Sequence, residues 1–392
     1  MRVYDKSYIK LNANTENGKV QLVPEGTLSP VAKPIVNRIN KVFLEEKPIS
    51  VDDKEIIFSS WAPPIPSTAF DRLISAQIAA VLKKRVPDQS SIGITMRCPN
   101  KCIHCGAADI IADPELSLDE VNRVIDESIE LGSYLISFDG GEPMLRHDLA
   151  DMVRHVDKSR AIATSFSSGY GLTPEKAEEL KVAGLYAVRI SIDSPRREEH
   201  ERVRGRVGSY DDAMKGIDNA LAAGILTDMF VVVSPDNIDE LEDFYTLAEN
   251  KGMHEMSLYE IIAVGRWLDH EDETIGPSDV DRLGRFQKDK NKLRDGPRIT
   301  AFPYFMGPDM FGCFAGRRWV HITSGGDVLP CAYTPLMFGN IRDEPLKDIW
   351  KRMGKTYRKT PPSCLMRDRE FRNRYIHSIP EGATMPFDMV DK

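Results

Sequence analysis

Between about residue 90 and residue 262 the apolar positions repeat one pattern: a short β-branched run, a break rich in glycine or serine, then residues that turn apolar every three or four positions. The runs predict strands at 92–96, 134–138, 161–166, 186–192, 229–233 and 256–262. Between the first two, Ser117-Leu118-Asp119-Glu120 has the form of a capping box. Val121, Val124, Ile125 and Ile129 then share one helical face, and Gly132 supplies a stop. Further helices are predicted from Thr173-Pro174, from near Ser209 and from near Asn237, two of them ending at Gly184 and Gly224. Strands that alternate with helices in this way imply an α/β fold with a parallel sheet, because parallel neighbours need long crossover connections. Functional loops of such an array gather at the carboxyl ends of its strands, in an open sheet or an incomplete barrel alike.

The flanks differ. Residues 1–89 read as an extension of polar loops, with a proline-rich break at Trp61-Ala62-Pro63-Pro64-Ile65-Pro66. A helix is predicted over 68–84, with Phe70, Leu73, Ile74 and Ile78 on one side. Residues 90–300 hold the repeating units and a charged, loop-rich bridge over 268–300, and residues 301–392 form a C-terminal region. With 392 residues the chain can bury a large core without covalent staples. A net charge of −8 argues against a partner read through its phosphates, so no nucleic acid is expected. There is no signal-peptide pattern at the start and no apolar run long enough to span a bilayer. The cytoplasm is the expected location, and there the six cysteines are more apt to bind metal or do chemistry than to pair.

The predicted strand exits carry the candidate chemistry. The first leads into Cys98-Pro99-Asn100-Lys101-Cys102-Ile103-His104-Cys105, and the second into Asp139-Gly140-Gly141-Glu142-Pro143. The third leads into Ser167-Ser168-Gly169, and the fourth ends at Ser191-Ile192-Asp193. Three thiolates spaced C-x3-C-x2-C cannot close a tetrahedral zinc site without a fourth donor, which His104 or a distant cysteine could supply. A redox pair of Cys102 and Cys105 would leave Cys98 unexplained. A four-iron cluster held by three cysteines would keep one iron open for a ligand.

On these residues the chain resembles the radical S-adenosylmethionine (radical SAM) superfamily, whose hallmark is this cysteine spacing after the first strand of a partial (β/α)6 barrel. The resemblance implies that Cys98, Cys102 and Cys105 bind a [4Fe–4S] cluster whose fourth iron is chelated by S-adenosylmethionine. It also implies that Gly140, Gly141, Glu142 and Pro143 receive the methionine amino group, a task for which close backbone approach and a carboxylate are apt. By the same resemblance His104 stands at the adenine, where the family prefers an aromatic residue. Ser167 and Ser191 contact the ribose, Arg204 the methionine carboxylate, and Arg266, in a Gly-Arg pair, the adenine. The segment from Cys313-Phe314-Ala315-Gly316 through Gly326-Asp327-Val328-Leu329-Pro330-Cys331 to Gly339-Asn340-Ile341 and Ile349-Trp350 is similar to the SPASM and twitch extensions of that superfamily. This similarity makes Cys313, Cys331 and Cys364 candidate ligands of one auxiliary [4Fe–4S] cluster. A full SPASM domain has more cysteines, so either a non-cysteine side chain completes this cluster or its open iron meets substrate.

The implied reaction is reductive cleavage of S-adenosylmethionine to a 5′-deoxyadenosyl radical, which abstracts hydrogen from an unactivated C–H bond. The electron would come from a donor such as flavodoxin or ferredoxin. Tyr259 and Glu260, on alternate faces of the last predicted strand, are candidate catalytic proton-transfer groups, with one of them expected to point inward. The expected substrate is a small biosynthetic molecule. The alternatives are a peptide or protein substrate and a non-catalytic iron–sulfur or zinc-binding protein. A peptide maturase would be favoured by a three-strand, three-helix unit in residues 1–89, which the sequence does not display.

Overall fold

In the computed structural model, which describes residues 1–6, 8–16, 19–82, 84–108, 110 and 113–390, the chain opens with an antiparallel sheet. Its strands are β1 (Arg2–Lys6), β2 (Ile9–Glu16) and β3 (Lys19–Glu25), and α1 (Ser29–Glu45) packs against it. Leu11, Ala13, Val20 and Leu22 of the sheet meet Val36, Ile39 and Phe43 of the helix in one apolar cluster. The reading of this region as polar loops is therefore corrected. Short strands carrying Lys, Asn and Glu on their outer face conceal a period-two pattern. Asn40 closes the free edge of β3: Leu22 N–H donates to its Oδ1 at 2.7 Å, and its Nδ2 donates to Leu22 O at 2.8 Å.

A small ribbon of β4 (Ser50–Val51) and β5 (Ile56–Ile57) follows, then Trp61 and α2 (Thr68–Val81). Ser67 caps α2 by accepting from Phe70 N–H at 3.0 Å. The helix expected over 68–84 thus ends sooner, and residue 83 lies outside the described residues.

The main sheet carries the expected βα array. β6 (Gln89–Thr95), β7 (Leu135–Gly140), β8 (Ile162–Ser167), β9 (Leu185–Ser191), β10 (Leu226–Val233) and β11 (Glu255–Glu260) lie parallel and in chain order. The intervening helices are α3 (Leu118–Leu131), α4 (Leu149–His155), α5 (Pro174–Ala183), α6 (Arg197–Arg204), α7 (Ser209–Ala222) and α8 (Leu241–Asn250). Ser117 and Glu120 cap α3 reciprocally, and left-handed Gly132 and Gly184 end α3 and α5. Beyond β11 come α9 (Pro277–Lys290), β12 (Arg298–Ala301) and the four-residue α10 (Phe302–Phe305). The sheet extends at both edges: β12 joins β11 in parallel, and β13 (Trp319–Ile322) joins β6 in parallel before turning into antiparallel β14 (Val328–Leu329).

The loop-rich bridge over 268–300 is a second correction, since it contains α9 and β12. Their signals were faint for physical reasons. The buried face of α9 is Leu283, Gly284 and Gln287, of which only Leu283 is a large apolar residue, and β12 is buried through a charge. Arg298 pairs with Glu46 from the N-terminal region and, at 2.7 Å, with Glu255 of β11. One apolar core runs from Ile92 and Phe138 through Met256 to Ile349 and Trp350, so β13 and α11 (Leu346–Thr356) share the core of the parallel sheet. Among the described residues no helix is long and apolar enough to cross a membrane.

Candidate active site

The cysteine loop after β6 is held by its backbone. Lys101 N–H donates to Arg204 O at 2.9 Å and Ile103 N–H to Val203 O at 3.0 Å, fastening the loop to the end of α6. From the other side, Arg266 N–H reaches Cys105 O at 3.2 Å and Arg266 Nη1 reaches Cys102 O at 3.0 Å. Gly265 turns with φ +57, and a Cβ there would lie 2.3 Å from Cys105 O, so the Gly-Arg pair is shaped to press on this loop.

The two glycines after β7 have a comparable task. A Cβ on Gly140 would sit 2.3 Å from Thr95 O, and one on Gly141 would sit 2.3 Å from Arg97 O. Gly141 N–H donates to Thr95 O at 2.6 Å and Glu142 N–H to Arg97 O at 2.8 Å. In this structure the glycines let the loop after β7 lie against the backbone that enters the cysteines. Glu142, 1% exposed, accepts from Ser167 Oγ at 2.9 Å, Ser168 N–H at 2.7 Å, Ser168 Oγ at 2.5 Å and Met144 N–H at 3.2 Å. Its carboxylate thus bolts the exits of β7 and β8 together. Pro143 is buried at the start of the following turn.

Asp193, just past β9, organises a second cluster. Its Oδ2 lies 2.5 Å from Arg204 Nε and its Oδ1 lies 3.5 Å from His104 Nε2. Burial works against this carboxyl's charge, yet Arg204, His104 and His200 hold it below the usual range. Arg204 Nη1 also lies 3.8 Å from Cys102 Sγ. A ligand carboxylate at Arg204 would share the guanidinium with Asp193.

The chemistry of the donors fits an iron–sulfur cluster. All six cysteines are free thiols. Cys98, Cys102 and Cys105 lie near enough that Cys102 feels the charge of both others, and burial pushes the Cys102 thiol up to about 11. Cys98 is exposed and Cys102 and Cys105 are half-buried; thiolates gathered on one short loop need a cationic partner, which iron supplies. The three thiols would hold a cluster, with Arg204 and Gly265-Arg266 positioning their loop.

A cavity of about 470 Å³ opens beside this loop. Cys98, His104, Gly140, Gly141, Ser167, Ser191, Arg204, Arg266 and Tyr259 all line it, whereas Glu142, Pro143 and Glu260 do not. Six aromatic residues, Trp61, Phe166, Phe230, Tyr259, Trp319 and Tyr333, make up much of the rest. Tyr259 stacks on Phe302 at 4.2 Å. Glu260 faces away, with its Oε2 2.9 Å from Arg367 Nε, and burial raises its carboxyl to about 7.

Three features of this cavity were missed in the sequence. Trp61 arrives from the N-terminal region; its Nε1 donates to Ser257 Oγ at 2.8 Å, and the Arg189 guanidinium lies 3.4 Å from its ring centroid. Asp139, the last residue before the glycines, has a side chain 17% exposed and an Oδ1 without a hydrogen-bond partner. Its Oδ2 is 3.8 Å from His321 Nδ1, and Ser91 Oγ lies 2.8 Å from that same nitrogen while accepting from Trp319 Nε1 at 2.9 Å. Desolvation raises the Asp139 carboxyl to about 7 and lowers His321 to about 4. An acidic residue at a strand exit and an inward His on β13 were the available signals.

The C-terminal cysteines assemble behind Tyr333. Cys331 follows β14 and lies 3.3 Å from Thr334 Oγ1, while Cys313 N–H donates to Pro361 O at 2.9 Å. Cys364 opens the turn Leu365–Arg367, and its thiol feels both Cys313 and Cys331. Burial pushes the Cys331 thiol up to about 12, and it raises Cys313 and Cys364 as well. Cys313 and Cys331 are buried and Cys364 is half-buried, and three thiols gathered in this way fit a second cluster.

Comparison with known proteins agrees with this geometry. The model of the radical SAM superfamily matches residues 92–248, and that of the SPASM iron–sulfur cluster-binding domain matches residues 313–378. The chain is 28% identical to the AdoMet-dependent heme synthase of Methanosarcina barkeri, over 66% of this chain and 80% of that protein. It is 31% identical to the Fe-coproporphyrin III synthase of the same organism, over 66% of this chain and 72% of that protein. The crystal structure of Streptococcus suis SuiB bound to precursor peptide SuiA superimposes with a TM-score of 0.60 at 15% identity, over 89% of this chain and 88% of that one. The expected α/β fold of parallel strands and the enzymatic nature of the chain follow, together with S-adenosylmethionine and [4Fe–4S] clusters as its cofactors. The chain belongs to the radical SAM superfamily and carries a C-terminal SPASM domain.

Proposed function

We propose that this radical SAM enzyme oxidises a small biosynthetic molecule with an extended apolar or aromatic face, bound in the cavity between the two cysteine clusters. The carrying observation is the lining: six aromatic residues beside one polar corner of Asp139, Ser91 and His321. Aromatic walls favour a flat or apolar substrate, and the polar corner sets its orientation. When bound, the cluster at Cys98, Cys102 and Cys105 and S-adenosylmethionine supply hydrogen abstraction from an unactivated C–H bond. The chain's own groups do the rest. Gly140 and Gly141 with Glu142 shape the methionine end of the site, and Arg204, Ser167, Ser191, His104 and Arg266 line the remainder. Trp61 closes the floor, which gives residues 1–89 a part in the site. Asp139 Oδ1 accepts the proton that an oxidised substrate must lose. Tyr333, between the cavity and Cys331, bounds the path to the auxiliary cluster, and a flavodoxin or ferredoxin provides the external electron.

Two relatives whose names refer to heme and Fe-coproporphyrin, both tetrapyrroles, support a small molecule. One observation favours a peptide instead. Residues 1–45 form a three-stranded sheet with a packed helix, and the 89% coverage by SuiB bound to its precursor peptide includes part of residues 1–89. The readings separate in one experiment: the dithionite-reduced holoenzyme is offered a low-molecular-weight extract before and after protease treatment, and 5′-deoxyadenosine is quantified. Stimulation that survives protease supports the small molecule; stimulation abolished by protease transfers the assignment to a peptide.

A further inference from the structure

Arg204 touches the cysteine loop twice, once through its backbone and once through its guanidinium. We infer that Arg204, aimed by Asp193, hydrogen-bonds the Cys102 sulfur and raises the reduction potential of the cluster held there. The inference rests on the assignment of a cluster to Cys98, Cys102 and Cys105.

The backbone contact fixes the end of α6. Lys101 N–H donates to Arg204 O at 2.9 Å, and the left-handed Gly205 that follows packs so closely that a Cβ there would lie 2.6 Å from Lys101 O. The Arg204 side chain, 9% exposed, then divides its nitrogens. Nε faces Asp193 Oδ2 at 2.5 Å and Nη1 lies 3.8 Å from Cys102 Sγ, leaving Nη2 for a ligand carboxylate. Asp193 is itself held. Its N–H donates to His200 Nδ1 at 3.2 Å, its carbonyl accepts from Asn237 Nδ2 at 3.2 Å, and its Oδ1 faces His104 Nε2 at 3.5 Å. A buried carboxylate tied on these sides gives the guanidinium one orientation.

A donor aimed at a ligating sulfur, and a positive charge beside it, both favour the reduced form of an iron–sulfur cluster. Arg204 brings the two together in one group. Arg266, the other arginine at this loop, reaches Cys102 O at 3.0 Å instead, so it fastens the backbone and leaves the sulfur to Arg204. A guanidinium suits the task because its fixed fork serves a carboxylate and a sulfur at once, which a lysine ammonium does with less definite geometry.

The test uses the full chain, reconstituted anaerobically and reduced, without S-adenosylmethionine. The electron paramagnetic resonance signal of the cluster in question is the one absent from a Cys98→Ala protein. With arginine isotopically labelled in its guanidinium nitrogens, that signal should carry a hyperfine coupling to the label, and Arg204→Lys should abolish it. Arg204→Met should lower the midpoint potential by at least a tenfold shift in the reduction equilibrium, about 59 mV for one electron. Asp193→Ala, with Arg204 still present, should weaken the coupling. Absence of the coupling from the unaltered protein overturns the proposal, as does an Arg204→Met protein whose potential is unchanged or raised. A coupling that Asp193→Ala leaves intact overturns the aiming role of Asp193. Should Arg204→Met fail to fold or to hold iron, the coupling in the unaltered protein decides alone. If no signal disappears in Cys98→Ala, the assignment of a cluster to the three cysteines fails, an outcome distinct from failure at Arg204.

Discussion

Replacing Asp139 by Asn should stabilise the protein at alkaline pH while costing it turnover. Burial raises the Asp139 carboxyl from 3.8 to about 7, and the neighbouring Ser91 only partly offsets this. The folded chain thus holds a proton that the unfolded chain releases. The associated stability is present below pH 4, declines as pH rises, and is lost above pH 7. At about 1.4 kcal/mol per unit, the deprotonated native state is penalised by up to about 4 kcal/mol. The groups facing Asp139 are Ser91 on β6, His321 on β13 and Tyr333. His321, lowered to about 4 by burial, stays neutral through this window, and the Tyr333 phenol is raised and stays protonated. Asn imitates the protonated carboxyl at every pH. Anaerobic thermal melts should therefore show the variant gaining on the parent between about pH 4 and about pH 7, by several degrees, with a constant difference above that. With substrate present, 5′-deoxyadenosine formation should persist while product falls at least tenfold, about 1.4 kcal/mol in barrier. Equal pH dependence of the two melting temperatures would refute the buried-carboxyl reasoning, and undiminished product would refute its role as proton acceptor.

Gly141→Ala places a Cβ 2.3 Å from Arg97 O, a backbone atom that cannot swing aside. Calorimetric titration should find S-adenosylmethionine bound at least tenfold more weakly, about 1.4 kcal/mol. Glu142→Ala leaves Ser168 N–H and the Ser167 and Ser168 hydroxyls without their acceptor, so urea unfolding should show a loss of about 3 kcal/mol. Trp61→Phe keeps a ring under Arg189 but deletes the bond to Ser257. A stability loss of about 1 to 2 kcal/mol and a raised substrate KM are expected.

Elements that bury an apolar face were visible along the chain, and those buried by pairing were not. The six parallel strands and the Ser117, Gly132 and Gly184 signals appear where the periodicity put them. β12 was hidden because Arg298 enters the core only by meeting Glu46 and Glu255, which lie far away in sequence. The charged α6 was concealed for a similar reason, since its buried His200 and Arg204 serve Asp193. Spacing located the cysteine triplet and the Gly-Gly loop, but it could not reveal that Glu142 spends its oxygens on Ser167 and Ser168. Trp61 and His321 reach the cavity from opposite ends of the chain, a convergence only the folded topology displays.

The proposal that Cys98, Cys102 and Cys105 hold the cluster that cleaves S-adenosylmethionine is put to trial by reconstituting the full chain and its Cys98→Ala variant anaerobically, reducing both with dithionite, and measuring 5′-deoxyadenosine after adding S-adenosylmethionine. The parent should form 5′-deoxyadenosine with about eight irons per chain, and the variant should form none while keeping about four. A variant that matches the parent in 5′-deoxyadenosine would contradict the claim.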